Sequence, residues 1–200
     1  ANDDVASAPK AVKEQRHGIA GGFFMWKVGG ARAAKGGSLD DVIASAQNVV
    51  NRTKSICVGL EPCVIPALGH SNFKIEDGTM EFGVGHHGEA GTKVEKLKSA
   101  SEMVQEMAET ILNDFDFEEG KEVAVMLSSL GATPVMELYV LYDEVEKVLA
   151  KAGHKVWKTY IGNYVTSLDM NGASLTIVDL DDEIKELLSE PAVPIGMKNY

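Results

Sequence analysis

The sequence predicts an α/β (α+β) fold, a mixed six-stranded sheet with helices packed on it in two layers. Three observations carry that expectation. Short apolar, β-rich runs alternate along the chain with stretches of helical periodicity. The Asp77-Gly78 turn signal between two such runs predicts a hairpin, and so at least one antiparallel pair. Helices lying between other strands act as crossovers and favour parallel neighbours, which makes the sheet mixed. The 200 residues fit one domain, and no internal repeat or low-complexity segment divides them.

Taken in order, Ala1–Gln15 is polar and small and reads as a leading segment outside the core. His17–Lys35, rich in Ala and Gly around Phe23, Phe24, Met25 and Trp26, reads as a closely packed helix. Ser38 and Asp41 form a capping-box start, and Val42, Ile43, Ala46, Val49 and Val50 keep helical spacing to about Lys54. Ser55–Leu60 is a strand and Glu61–Asn72 a loop. Phe73–Ile75 and Met80–Val84 are the two arms of the predicted hairpin, followed by a long loop over Gly85–Lys98. Ser99 and Glu102 make a second capping box ahead of the stripe Met103, Val104, Met107, Ile111 and Leu112. Glu122–Ser128 reads as a central strand. Thr133 is placed to cap a helix that begins at Pro134, points Leu138, Leu141, Val145, Val148 and Leu149 inward, and stops at Gly153. Val156–Ile161 and Ser174–Leu180 are the last strands, and Asp181–Ser189 is a closing helix ended by Pro191 and Pro194.

The composition excludes some functions. Nineteen Lys and Arg against 30 Asp and Glu give a net charge of −11. That balance argues against nucleic acid or an anionic membrane as the main partner, since both call for clustered cations. No apolar stretch reaches the roughly 18 residues needed to span a bilayer, and no secretion signal opens the chain. Cys57 and Cys63 form neither a CxxC pair nor a disulfide framework, and reduced thiols in a cytoplasm are the simplest reading.

The 20 glycines gather in loops. One loop holds a formal G-x-G-x-x-G at Gly83, Gly85 and Gly88, but no helical stripe opens after it and no acidic residue follows at a strand end, so it lacks the context of a dinucleotide fingerprint. The same loop holds His86 and His87. No recognised zinc spacing joins them to Cys57, Cys63 or His70, so no metal site is assigned. Composition alone does not separate a solvated histidine pair from a catalytic one.

His87-Gly88-Glu89 within Gly83–Gly91, Leu130–Tyr139 with its Gly131-Ala132-Thr133-Pro134, and Thr166–Gly172 occur in an order that resembles the dihydroxyacetone (glycerone) kinase family. The resemblance is to the second half of its ketone-binding K subunit or domain. Arg16–Gly21 and Ser99–Glu102 fit the same register, so it covers nearly the whole chain. It implies that residues 1–200 are a single domain, the second of a K-type fold, with the family's preceding domain absent. It implies His87 as the catalytic residue, holding dihydroxyacetone or a similar short ketose or aldehyde as a covalent hemiaminal, with Gly88 and Glu89 beside it in substrate binding. A covalent tether selects carbonyl compounds over glycerol and fixes the terminal hydroxyl for phosphoryl transfer. The resemblance also implies a homodimer, a place in glycerol metabolism, and no cofactor on this chain. The phosphoryl donor, ATP or ADP loaded by the sugar phosphotransferase system with Mg, would sit on a nucleotide-carrying L subunit or domain. Some relatives are non-catalytic sensors or co-regulators, and an isolated structural fragment is the remaining alternative.

Two positions depart from the family pattern: His86 stands where an apolar residue is usual and Ala90 where proline is. The second imidazole can compete with His87 or shift its titration, and the lost proline loosens the loop. Among the other residues, Glu89 either orients His87 or is a solvated carboxylate. Asp169 is either a solvated turn residue or a structural acceptor. Phe23 and Trp26 read as core or dimer-interface packing, and Asp143, Glu144 and Glu146 as a solvated helix face.

Overall fold

The computed structural model describes residues 1–71, 73–116 and 120–194. Asn72, the expected end of the first loop, lies outside them. The six strands are β1 (Thr53–Glu61), β2 (Thr79–Phe82), β3 (Lys93–Lys96), β4 (Glu122–Ser129), β5 (Lys155–Gly162) and β6 (Asn171–Asp179). They form one sheet in the order β3-β2-β1-β6-β4-β5. Among the described residues only β4 and β5 run parallel; the other four strand pairings are antiparallel. The parallel pair is the one joined by a crossover helix, as the geometry of parallel connections requires.

The helices are α1 (Gly21–Ala34), α2 (Leu39–Asn51), α3 (Ala100–Asp114), α4 (Val135–Lys151) and α5 (Asp182–Ser189), with a short 3-10 helix over Lys10–Gln15. They cover both faces of the sheet, so three layers replace the expected two. On β1, Cys57 joins Phe24, Val28, Ile184 and Leu188 of α1 and α5 in one core. Its neighbours Ile56 and Val58 point the other way, against Met103, Met107 and Leu138 of α3 and α4. Strand alternation thus serves two apolar cores, and β6 is buried at all but its two end residues.

Several local expectations are met residue by residue. Ser38 with Asp41, and Ser99 with Glu102, form complete capping boxes. Gly153, at φ +81, ends α4. There the Gly153 and His154 N–H groups donate to Ala150 O and Leu149 O, the paired bonds of a Schellman cap.

Other expectations fail, each for a tertiary reason. Phe73–Ile75 is not a strand. The hairpin partner of β2 is β3, inside the segment expected to be loop, with Met80 opposite Glu95 and Glu81 opposite Val94. The Lys-Val-Glu-Lys of β3 is charge-rich because it is an edge strand, where lysines guard against further pairing. The second helix ends at Asn51 rather than near Lys54, and β1 starts at Thr53.

The leading segment also enters the core: Asp3 and Asp4 are each 1% exposed. The Asp3 carboxylate accepts the N–H groups of Ile19 (3.1 Å) and Gly21 (2.8 Å) and the Ser55 hydroxyl (2.5 Å). It thereby serves as the N-terminal cap of α1, whose own N-cap residue, Ala20, has no side chain able to do so. Arg16, buried with it, holds Asp114 of α3 in a bidentate pair with both N–O distances 2.7 Å.

Candidate functional site

The loop Gly83–Thr92 connects β2 to β3 and leads into a strand, so its G-x-G-x-x-G does not open a helix. Backbone bonds pin it at both ends. Gly83 N–H donates to Cys57 O on β1 (2.8 Å), and Thr92 N–H donates to Phe82 O (2.8 Å). Within the loop, Gly85 N–H donates to Glu89 O (2.8 Å) and Gly88 N–H to Gly85 O (3.0 Å). The segment therefore curls back on itself, which brings the Glu89 side chain over Gly85. A Cβ at Gly85 would overlap Glu89 Oε2, so the turn requires glycine there.

That curl defines the histidine pair. The Glu89 carboxylate accepts the His87 backbone N–H at Oε2 (2.8 Å) and meets His87 Nδ1 at Oε1 (3.1 Å). Glu89 is thus the orienting group for His87 rather than a free carboxylate. Partial burial pushes the Glu89 carboxyl up, but its own N–H, the His87 N–H and the His87 ring together hold it below the ordinary value. With Nδ1 bonded to a carboxylate, the neutral ring carries its proton at Nδ1 and an open lone pair at Nε2. The His87 side chain is 79% exposed, so that lone pair is accessible.

His86 sits differently. It is half-buried, and burial, then the charge of His87, hold its pKa below the usual histidine value. Its Nδ1 is enclosed with no hydrogen-bond partner among the described residues. The two imidazoles meet edge to face, with centroids 5.3 Å apart at 80°. Gly88, at φ +84, forms the turn between His87 and Glu89.

Both histidines line a cleft of about 310 Å³ with Cys63 and Ile65 from the β1–β2 connection and Thr166, Ser167 and Leu168 from the β5–β6 connection. Two of the three loops singled out in the sequence line this cleft, and the third, after β4, is bonded to the β5–β6 connection. Ser167 N–H donates to Leu130 O (2.7 Å), and Ala132 N–H donates to Met170 O (3.0 Å). Asp169 is a structural acceptor, taking the Val64 N–H at 2.7 Å and so tying two walls of the cleft together. Leu168 is held at φ +55, a region that costs a branched side chain on the order of 1 kcal/mol or more. Gly131, at φ +138, lies directly under Leu168 O, where no Cβ would fit.

Thr133 is not the cap of α4. Pro134 is the N-cap residue, without a side-chain bond. The Thr133 hydroxyl instead accepts Gly172 N–H (2.8 Å), and its proton lies between Gly172 O (2.7 Å) and Asn171 Oδ1 (2.8 Å). It fastens the start of β6 to the loop after β4. Phe23 packs edge-on against Phe24, Tyr160 and Tyr164. Trp26 is 76% exposed and outside the core.

Cys63, Ile65 and Leu168 are walls that sequence reasoning did not assign to the site; no spacing signal relates them to His87. Among the described residues, no three His, Cys, Asp or Glu side chains gather to hold a metal ion. No helix among them is long and apolar enough to cross a membrane.

The Dak1 domain family model matches residues 1–195. The dihydroxyacetone-binding subunit DhaK of PTS-dependent dihydroxyacetone kinase 1 from Listeria innocua is 38% identical over 182 residues, covering 91% of this chain and 55% of that protein. The chain thus spans little more than half the length of that relative. Among solved structures, the dihydroxyacetone kinase operon co-activator DhaQ superposes with a TM-score of 0.87 at 29% identity, over 96% of this chain and 59% of the other. The dihydroxyacetone kinase of C. freundii superposes with a TM-score of 0.80, also at 29% identity, over 88% of this chain and 32% of the other. With that family model matched over almost the whole chain, this chain belongs to the Dak1 family, that of the dihydroxyacetone kinase K subunit.

Proposed function

We propose that this chain is the ketone-binding part of a dihydroxyacetone kinase, and that His87 holds dihydroxyacetone or a similar short ketose covalently. The single observation that carries the reading is the Glu89 clamp on His87 Nδ1. It leaves Nε2 as the nucleophile, on a ring open to the cleft. In the addition, the Nε2 lone pair forms a bond to the carbonyl carbon and the C=O π pair moves to oxygen. The ring proton leaves Nδ1 by way of Glu89 to solvent, and the oxygen takes one proton from solvent, so that protons balance and the product is a neutral hemiaminal. Tethering fixes the terminal hydroxyl for in-line attack on a phosphoryl group, a reaction in which positioning supplies much of the rate.

The donor would be ATP, or ADP loaded by the sugar phosphotransferase system, with Mg, on a nucleotide-carrying L subunit or domain. The similarity to kinase subunits supports that partner, and the half-length match to the relatives supports a further domain completing the pocket. A homodimer, a cytoplasmic location and a place in glycerol metabolism belong to the same proposal. Activity without the further domain and the donor subunit is expected to be absent.

A second reading is favoured by the TM-score of 0.87 to a co-activator. In it the chain binds the ketone as a signal and transfers no phosphoryl group.

Dihydroxyacetone labelled with carbon-13 at the carbonyl tests the binding step. The ketone resonance is expected to give way to a tetrahedral one in the native chain and to persist with His87→Ala. No conversion, or conversion unchanged by His87→Ala, refutes the assignment. Conversion without phosphorylation once the donor subunit and the further domain are supplied selects the sensor.

A further inference from the structure

The His86 ring has one nitrogen, Nδ1, enclosed and without a partner, while the side chain lines the same cleft as His87. A buried lone pair without a partner is tolerated more readily than a buried N–H without one. The proton of a neutral His86 therefore belongs on Nε2, the nitrogen left for the cleft. Burial, then His87, favour that neutral form. Glu89, whose charge acts the other way, is already engaged by the His87 N–H and ring. The centroid separation of 5.3 Å and the edge-on angle of 80° place this imidazole directly beside the His87 ring.

An attack on a ketone creates negative charge on its oxygen, and a fixed donor aimed at that oxygen is the usual source of stabilisation. A neutral imidazole serves as such an electrophile when its environment keeps it uncharged.

We propose that His86, through Nε2–H, donates a hydrogen bond to the ketone oxygen while His87 Nε2 bonds to the carbonyl carbon. This rests on the covalent reading of His87 and adds a second catalytic residue to it. His86 keeps its own proton throughout: it stabilises the developing alkoxide, and the proton that finally joins that oxygen comes from solvent, matched by the one leaving His87 Nδ1. The site then favours carbonyl compounds small enough for the oxygen to lie between the two rings.

The rate of adduct formation, read by carbon-13 exchange spectroscopy with carbonyl-labelled dihydroxyacetone, tests the proposal. His86→Phe keeps an edge-on ring and removes the donor. It is expected to slow adduct formation roughly 100-fold, the scale of losing one oxyanion donor. His86→Gln, which retains an N–H, should fall between the two. A His86→Phe protein that forms the adduct at the native rate overturns the donor role and leaves the His87 reading standing, whereas a native chain that forms no adduct removes both. If His86→Phe does not fold by circular dichroism, His86→Met is the donorless replacement and is judged by the same rate.

Discussion

Replacing Glu89 with Gln keeps the shape of the side chain and tests whether its charge sets the chemistry of His87. The carboxylate accepts two bonds, from the His87 backbone N–H at 2.8 Å and from Nδ1 at 3.1 Å. A Gln has one acceptor oxygen. If that oxygen stays on the backbone N–H, the amide NH₂ faces Nδ1 and makes it an acceptor. The ring proton then moves to Nε2, and the lone pair is lost from the nitrogen meant to attack. If the oxygen turns to Nδ1, the backbone N–H loses its partner and the loop loosens. Either outcome weakens addition. A hydrogen bond to a charged group contributes about 1.5–3 kcal/mol. The Glu89 side chain is 40% exposed, and solvent screening reduces that to about 1–2 kcal/mol. At 1.36 kcal/mol per factor of ten, the expected loss is roughly 5–30-fold in adduct affinity.

The assay is a titration with carbonyl-labelled dihydroxyacetone, reading the tetrahedral carbon at pH 7. The sign of the pH dependence also follows. The Glu89 carboxyl is held below its ordinary 4.5, so its contribution is fully present above that value and is lost as the pH falls through the lower, native one. Between pH 5 and 8 the ratio of native to Glu89→Gln affinity should therefore be nearly flat as far as Glu89 is concerned. Equal affinity of the two proteins within twofold at pH 7 would refute the tautomer argument.

Three further outcomes are expected. Arg16→Met removes the buried guanidinium from Asp114, whose side chain is 10% exposed, and leaves Lys54, at 3.7 Å, as its ion-pair partner among the described residues. Breaking a buried pair costs about 3–5 kcal/mol, which corresponds to a melting temperature lower by roughly 6–20 °C; a change under 2 °C in a thermal melt would show the pair to be dispensable. Asp4 is raised by burial from 3.8 to about 6, so the folded state binds a proton more tightly than the unfolded one and loses stability as the pH rises from about 4 to 6. Asp4→Asn, which can still accept the Ala6 N–H, should stabilise by up to about 3 kcal/mol at pH 7, with a smaller gain at pH 5; a gain independent of pH, or a loss at pH 7, sinks this reading. Gly131→Ala forces Leu168 away from its present position, and is expected to destabilise the fold by on the order of 1–3 kcal/mol and to weaken ketone binding; unaltered denaturant midpoint and affinity would contradict the contact with Leu168 O.

What was legible in the sequence was what lies close along the chain. Ser38 with Asp41 and Ser99 with Glu102 announce helix starts because both bonds of a capping box span three residues. His87 with Glu89 is legible for the same reason, since the pair closes over two residues and one glycine turn. The failures are bonds that close over long loops. Thr133 precedes a proline in the manner of a cap, yet its hydroxyl is taken by Asn171 and Gly172, 38 and 39 residues away. Asp3 caps a helix 18 residues on and therefore looked like part of a polar tail. A Lys-Val-Glu-Lys segment has no reason to be a strand until β2 offers its edge.

The same division applies to the site. His87, the proposed nucleophile, and the Glu89 carboxylate that holds it are a local device, so a short motif marks them. The walls are Cys63, Ile65, Thr166, Ser167 and Leu168, brought together from two other loops, and in the proposed adduct it is these, with His86, that would meet whatever extends beyond the carbon bonded to His87. A motif match therefore transfers the expectation of carbonyl chemistry but not of a particular ketose. Selectivity among ketoses has to be sought by varying the walls while His87 and Glu89 are kept. Substitutions at Leu168 or Ile65 that reorder the preference for three- and four-carbon ketones, at unchanged reactivity of the His87 ring, are the form that result should take. If instead every wall variant scaled all ketones equally, the walls would be acting only as support for the loop, and selectivity would have to be sought outside this cleft.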